Sequence, residues 1–369
     1  MKHWLLIPVI LGAAACRLGA QDAPPQDAPP QDAPAAQSPY EFRYSVSVID
    51  DATFYRNLQV PLPKVLNQVL LEPSFTVRYQ QRWSLSSSVV GATTTYGDTH
   101  TQLHVKEAYA GLSAGDFDFT LGRRMVRWGV GYAFTAAGVL DPPRMPTNPT
   151  DRLNLNVGRD MVKADFVHGP HAFSLAWSTA ELTPASANQR DTTAFRYNVL
   201  VHGFDTALIA GDDRGGDAFG ALTFTRVLGQ AWELHGEAAW REHEAVLLGA
   251  KYTTGSGVTF IGEFYSPPNI PYYRDMTVSP LAGRQHYAFF DVGKARLRER
   301  PGWKEWGVDG YAVANLDDHS YTAIFDASRW FGNHFSSYVH EEVPAGSKTS
   351  EYGRTPYSAS TSVGVRFQL

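Results

Sequence analysis

Apolar and polar residues alternate along most of the chain from Tyr40 onward. In "WELHGEAAWR", Trp232, Leu234, Gly236, Ala238 and Trp240 share one face of an extended segment, and Glu233, His235, Glu237, Ala239 and Arg241 share the other. "AFRYNVLV" sets Phe195, Tyr197, Val199 and Val201 against Arg196, Asn198 and Leu200. "FTVRYQQRW" sets Phe75, Val77 and Tyr79 against Thr76, Arg78, Gln80 and Arg82, and "FRYSVSVI" sets Phe42, Tyr44, Val46 and Val48 against Arg43, Ser45 and Ser47. The final "SVGVRFQL" alternates to its last residue, with Val363, Val365, Phe367 and Leu369 on one side. No helical periodicity of any length interrupts these runs.

Alternation alone also fits a soluble sandwich. The connections discriminate, because they alternate between tight and long. Tight ones are 113–116, 168–171, 202–203, 228–230, 253–257 and 331–333; long ones are roughly 50–70, 129–160, 180–192, 266–284 and 343–357. Short turns at one end and long loops at the other characterise transmembrane barrels. The pattern predicts an all-β fold: a single transmembrane, antiparallel, up-and-down β-barrel of about 16–18 strands, with short periplasmic turns and long outer loops. Two connections break the rule, a very short outer one at 242–243 and a long inner one at 293–302.

Composition adds a compartment. Residues 1–20 place Lys2 before an apolar stretch and end in small residues, which reads as a secretory signal peptide cut after Ala20. Cys16, the only cysteine, offers a rival lipoprotein cut, with Ala13 where leucine is wanted. A chain cut after Ala20 has no disulfide to rely on. Residues 21–38 carry a Pro-rich QDAPP repeat, expected to be a disordered, extended periplasmic tether, and 39–369 form the barrel. Aromatic residues are 13% of the chain and charged residues 19%, against about 25% in ordinary soluble domains. The formal charge of −5 carries no basic excess that would point to nucleic acid.

If the apolar faces meet lipid, the lumen receives Arg43, Arg78, Arg82, Arg196, Lys251 and Arg366 together with Glu233, His235, Glu237 and Glu263. The signs are mixed, so no steep ion selectivity follows. Glu233, His235 and Glu237 also have metal-ligand spacing on a strand, but polar barrel interiors present such triplets by default. His334, Ser336 and His340 share a face that suggests a lipid hydrolase, yet it is the face turned from lipid. The reading assigns no catalytic residues, no metal and no cofactor. The segment after Trp128 is the third outer loop by this count. It holds Pro142, Pro143, Pro146 and Pro149 and the charges Asp141, Arg144, Asp151, Arg152, Arg159 and Asp160.

The segment "EAYAGLSAGDFDFTLGRRMVRWGVGYAF" (107–134) and the overall organisation resemble outer-membrane porins and porin-like export barrels, such as the alginate-export type. That resemblance implies a third loop folded into the lumen as a constriction. Ser362, Gly364, Phe367 and Leu369 resemble the terminal signal read by the barrel-assembly machinery, with leucine where phenylalanine is usual. Closure of the last strand on the first would leave no edge in lipid. The expected function is an outer-membrane channel for passive diffusion of small hydrophilic solutes. The alternatives are a non-conducting structural or export-partner barrel and, behind it, an outer-membrane lipid hydrolase. The expected partners are outer-membrane lipid, the assembly machinery and the solutes. Porins often trimerise, although nothing in the sequence marks a subunit face.

Overall fold

The computed structural model describes residues 38–179, 191–213, 217–240, 244–266, 286–295 and 305–369. The expected signal peptide and nearly all of the Pro-rich repeat lie outside the described residues. The barrel occupies Pro39–Leu369.

Eighteen antiparallel strands close on themselves: β1 (Tyr40–Arg56), β2 (Val65–Tyr79), β3 (Trp83–Tyr96), β4 (Asp98–Ala114), β5 (Phe117–Arg124), β6 (Arg159–His168), β7 (His171–Thr179), β8 (Thr192–Val201), β9 (Phe204–Asp213), β10 (Asp217–Leu228), β11 (Trp232–Trp240), β12 (Glu244–Thr253), β13 (Thr259–Ser266), β14 (Tyr287–Lys294), β15 (Trp306–Asn315), β16 (Ser320–Phe331), β17 (Phe335–Ala345) and β18 (Ala359–Gln368). Each strand pairs with its sequence neighbours, and β18 pairs with β1 over Ser47↔Gln368 to Arg56↔Ala359. No helix occurs among the described residues. The strand number falls at the top of the expected range.

Alternation sorts the side chains as the sequence pattern requires. Trp232, Leu248, Phe290 and Phe325 stand on the outside, each about half exposed, while His235, Leu247, Phe289 and Ile324 on the same strands are buried inside. An aromatic belt circles the turn end of the outer wall. Tyr40 meets Tyr79, Phe117 meets Phe166, Phe173 meets Tyr197, and Trp232 meets Tyr252. On β11 a second outward tryptophan, Trp240, marks the other margin. Eight residues at about 3.3 Å each, on a strand tilted about 40°, separate the two by roughly 20 Å along the barrel axis.

The turns explain their own sequences. His202 and Gly203, with φ of 50° and 79°, form the two-residue turn between β8 and β9, where both central residues must take positive φ. The loop end is less uniform than the spacing predicts. Besides 241–243, the connections at Gly97, 214–216 and 316–319 are short. The first outer loop shrinks from the expected 50–70 to 57–64, because β1 runs through Asp50 and Asp51. These adjacent acids blur the alternation, yet one faces out and the other in.

At β3–β4 the register shifts: Ser88 pairs with Glu107 and Val89 with Val105, which leaves Lys106 as an extra residue. This bulge turns both Lys106 and Glu107 inward.

Candidate functional site: a loop inside the barrel

The loop between β5 and β6, residues 125–158, folds into the lumen. Its apolar residues leave no other choice. Trp128, Phe134 and Leu140 are each at most 2% exposed, and a loop standing clear of the barrel has no surface that could bury them so fully. Val126, Trp128, Ala137 and Leu140 pack on Met161, Ala176, Ala194, Ile209 and Phe219, which line β6–β10. Ala133 and Phe134 pack on Leu247, Ile261, Tyr265, Tyr287 and Phe289 of β12–β14, where Phe134 stacks on Tyr265 at 4.9 Å. Thr147 accepts a bond from the Tyr311 hydroxyl of β15 at 3.1 Å. Leu153 packs on Ile49, Leu70 and Val90 of β1–β3, and the Gly158 amide donates to the Lys106 carbonyl of β4. The loop therefore reaches out to β12–β14, turns back to β6–β10, and then runs past β15 to β1–β4, so that it touches the wall on opposite sides of the lumen.

Two wall carboxylates hold its first half. Glu237 of β11 accepts the amides of Val130 (2.5 Å), Gly131 (2.9 Å), Ala136 (2.5 Å) and Ala137 (2.7 Å), and the Thr135 hydroxyl (3.0 Å). Glu263 of β13 accepts the amides of Tyr132 (2.5 Å), Ala133 (2.9 Å) and Phe134 (3.3 Å), and lies 3.0 Å from His235 Nε2. Both side chains are buried. Backbone amides wrapped around an anion compensate its lost hydration, and such charge-assisted bonds are the stronger kind. The wrapping needs glycine. A Cβ on Gly131 would stand 2.3 Å from the Phe134 carbonyl oxygen, and one on Gly129 would stand 2.0 Å from Thr135 Oγ1.

Within the loop, Asp141 accepts the Trp128 amide at 2.6 Å and pairs with Arg144, which also donates to the carbonyl of Gly131 at 2.5 Å. Burial pushes the Asp141 carboxyl up; the Trp128 amide and Arg144 pull it down without cancelling the rise.

The second half is held at the opposite wall. Arg152 pairs with Asp51 of β1, donates to Ser362 of β18 at 3.3 Å, and lies over the Tyr338 ring of β17 at 5.0 Å. Arg366 of β18 donates to the Arg152 carbonyl at 2.5 Å. Asn154 donates to Glu72 of β2 at 2.6 Å, and Glu72 also pairs with the buried Lys106 at 3.1 Å.

Between this half of the loop and the turn end lies a cavity of about 700 Å³. Asp291, Asp309 and Asp326 line it on β14–β16, and Arg152 and Arg366 line it elsewhere.

The lumen candidates divide into groups. Glu237 and Glu263 hold the loop. Arg366 does so through a carbonyl. Glu233 accepts the Tyr132 hydroxyl at 2.9 Å, and Lys251 donates to that hydroxyl at 3.1 Å. His235 touches the Tyr132 ring edge-on, 5.3 Å between centroids. Arg196 is half-buried on the lumen side of β8. Arg43 and Arg78 sit at the turn-end rim, where each pairs with Glu41. Arg82 is a correction: it lies in the turn between β2 and β3, at the turn-end rim, where its carbonyl accepts the Ser113 amide of β4 at 2.7 Å.

The loop candidates also divide. Asp141, Arg144 and Arg152 hold the loop together or to the wall, and Asp151 accepts the amides of Leu155 and Asn156. Arg159 and Asp160 belong to β6, whose pairing with β5 begins at Arg124↔Arg159. Arg159 faces in and donates to the Val139 carbonyl at 2.8 Å. Asp160 faces out and takes a two-pronged bond from Arg123 at 3.0 and 2.7 Å.

Ser336 and His340 stand four residues apart on one strand, about 13 Å, outside hydrogen-bonding reach of each other. His340 Nδ1 is 2.8 Å from Asp326.

The terminal residues have contacts of their own. Ser362 bonds Thr53 at 2.7 Å, Phe367 pairs with Phe335, and the Leu369 amide donates to the Val46 carbonyl at 3.0 Å. A Cβ on Gly364 would meet the Tyr338 ring at 2.3 Å. Sequence reasoning missed Asp51, Glu72, Lys106 and Tyr338. Their partners lie up to some three hundred residues away, and no local pattern signals such contacts.

No family model matches the chain, and no curated protein matches it in sequence. The fold does have solved counterparts. Pseudomonas aeruginosa OpdQ is similar with a TM-score of 0.59 at 8% identity, over 89% of this chain and 99% of that one. Pseudomonas aeruginosa OccK11 (OpdR) gives 0.59 at 10% identity, over 89% and 96%. A mutant of the Rhodopseudomonas blastica porin gives 0.51 at 11% identity, over 89% and 100%. At these identities the likeness is one of fold: a porin-like closed barrel.

Proposed function

We propose that this protein is an outer-membrane channel through which small hydrophilic solutes diffuse passively, past a constriction made by residues 125–158. The observation that carries the reading is the anchored loop. A loop held to the walls by Glu237, Glu263 and Asp51 narrows a wide, polar-lined lumen without any moving part. The apolar outer wall between two aromatic margins suits lipid, and the turn end faces the periplasm in this reading.

The test is conductance in planar bilayers. The intact protein gives discrete channels, and deletion of 133–157 enlarges them. An intact protein without ion current, whose deletion variant is equally silent, overturns the reading.

A second reading has its own support: packing of the loop along the whole wall favours a closed barrel acting as a scaffold or export partner. Silence of the intact protein with current through the deletion variant selects it. The narrower resemblance to alginate-export barrels rests on the organisation of residues 40–369 and on the sequence of 107–134. Recognition of Ser362, Gly364, Phe367 and Leu369 by the assembly machinery, and association into a trimer, belong to the same proposal. We assign no chemistry to His334, Ser336 or His340.

A further inference from the structure

Seventeen of the strand pairs join sequence neighbours; β1 and β18 meet with no segment connecting them. On the lumen side of this seam Tyr338, Gly364 and Asp51 occupy one row across β17, β18 and β1. With no side chain at Gly364, Tyr338 reaches over β18 and donates to Asp51 at 2.7 Å, so the terminal strand lies beneath a strap from β17 to β1. Arg152 of the loop lies on that strap. Its guanidinium bonds Asp51 on one side of the seam and Ser362 on the other, and its carbonyl takes the bond from Arg366. Thr53 and Ser362 bond directly across the seam beside it. Asp51 and Ser362 are at most 2% exposed, and Asp51 has no Lys or Arg partner but Arg152 among the described residues.

We propose that the constriction loop has a second role, as the lock on barrel closure: Arg152, seated on the Tyr338–Asp51 strap, holds β18 against β1. Removing it leaves Asp51 as a buried carboxylate without a counterion at the one junction that no chain connection protects. This role is independent of whether solutes pass.

Amide hydrogen exchange of the full chain in detergent or lipid tests it. Arg152→Ala raises exchange in 47–53 and 362–368 by about tenfold or more. Glu237→Gln, which loosens the loop at the far wall, raises exchange in 129–138 and leaves the seam unchanged. Thr53→Cys with Ser362→Cys, at directly paired positions, restores seam protection and resistance to heat in detergent when oxidised in the Arg152→Ala background. Unchanged seam exchange in Arg152→Ala, or a crosslinked variant as heat-labile as Arg152→Ala alone, overturns the proposal. Should Arg152→Ala yield no folded protein, Arg152→Lys decides, since it keeps the charge and loses the forked contact. A rise confined to 47–53 and 362–368 supports the lock, and no rise there overturns it.

Discussion

Glu263 and His235 meet across a missing side chain. They flank Gly249 in one row of three strands, and the bond between Oε1 and Nε2, 3.0 Å long, runs over that glycine. A Cβ on Gly249 would stand 2.1 Å from His235 Nε2. The same device recurs at Tyr338–Gly364–Asp51. In both places a side chain crosses an intervening strand to fix a carboxylate that then holds the loop.

Gly249→Ala should therefore displace His235 and leave Glu263 with the loop amides alone. The expected result is faster amide exchange at 132–134 and a lower unfolding temperature, with the barrel's strand content in circular dichroism unchanged. Exchange as slow as in the parent would mean that His235 does not support the carboxylate.

Glu237→Gln should loosen the loop more strongly. The amide keeps one carbonyl oxygen but turns an NH₂ group toward donors that need an acceptor. With charge-assisted bonds contributing roughly 1.5–3 kcal/mol each, loss of two or more loosens 129–138 by several kcal/mol. Single-channel recordings should show new, noisier conductance levels; recordings identical to the parent would argue against the carboxylate as an anchor.

Gly364→Ala tests whether the terminal glycine matters for packing or for recognition during assembly. The added methyl group should push Tyr338 from Asp51 and lower the yield of heat-resistant barrel. In the packing explanation, combining it with Tyr338→Ala relieves the clash and recovers part of the yield. If the double variant assembles as poorly as Gly364→Ala and Tyr338→Ala alone assembles well, recognition is the better account.

The loop at 346–358 should respond to pH through Glu351. Burial, the largest influence, raises its carboxyl above the ordinary value against the bonds from Tyr287 and Asn315, each 2.7 Å, which lower it. A carboxyl raised in the folded state lends its stability fully below the unfolded value, about 4.3. That contribution is lost as pH rises through the folded value. Exchange at 347–355, corrected for the intrinsic pH dependence, should thus be slower at pH 4 than at pH 7, and Glu351→Gln should flatten the difference. Tyr352 packs in the cluster of Phe134, so this loop bears on the constriction.

Charge selectivity should follow the cavity's acidic side. Asp309 and Asp326 are directly paired on β15 and β16, an arrangement that favours a cation nearby. Asp326→Asn should lower the permeability of potassium relative to chloride, read as a shift in reversal potential under a salt gradient. An unchanged potential would place the selective step elsewhere.

Much of this was legible in the sequence because a barrel wall obeys a period of two. The faces of "WELHGEAAWR" and "AFRYNVLV" could be read directly, and proline density marked the third loop. What stayed hidden was the use of the inward charges. Glu237 and Glu263 look like pore-lining ions in the sequence, but each is enclosed by amides of residues 100 to 131 positions earlier. Asp51 looks like an interruption of β1 and anchors the second half of the loop. The strand boundary at Arg159 was missed because an arginine and an aspartate open β6, and Lys106–Glu107 breaks the period by a bulge that no local composition announces.

The distance between Trp232 and Trp240 carries a consequence for the surrounding bilayer. A wall whose greasy band is only about 20 Å high is shorter than a common phospholipid core of about 30 Å. Long-chain lipids would have to thin beside it or drive barrels together to reduce hydrophobic mismatch. Reconstitution in short-chain lipids should keep the protein dispersed, and lengthening the acyl chains should cluster it.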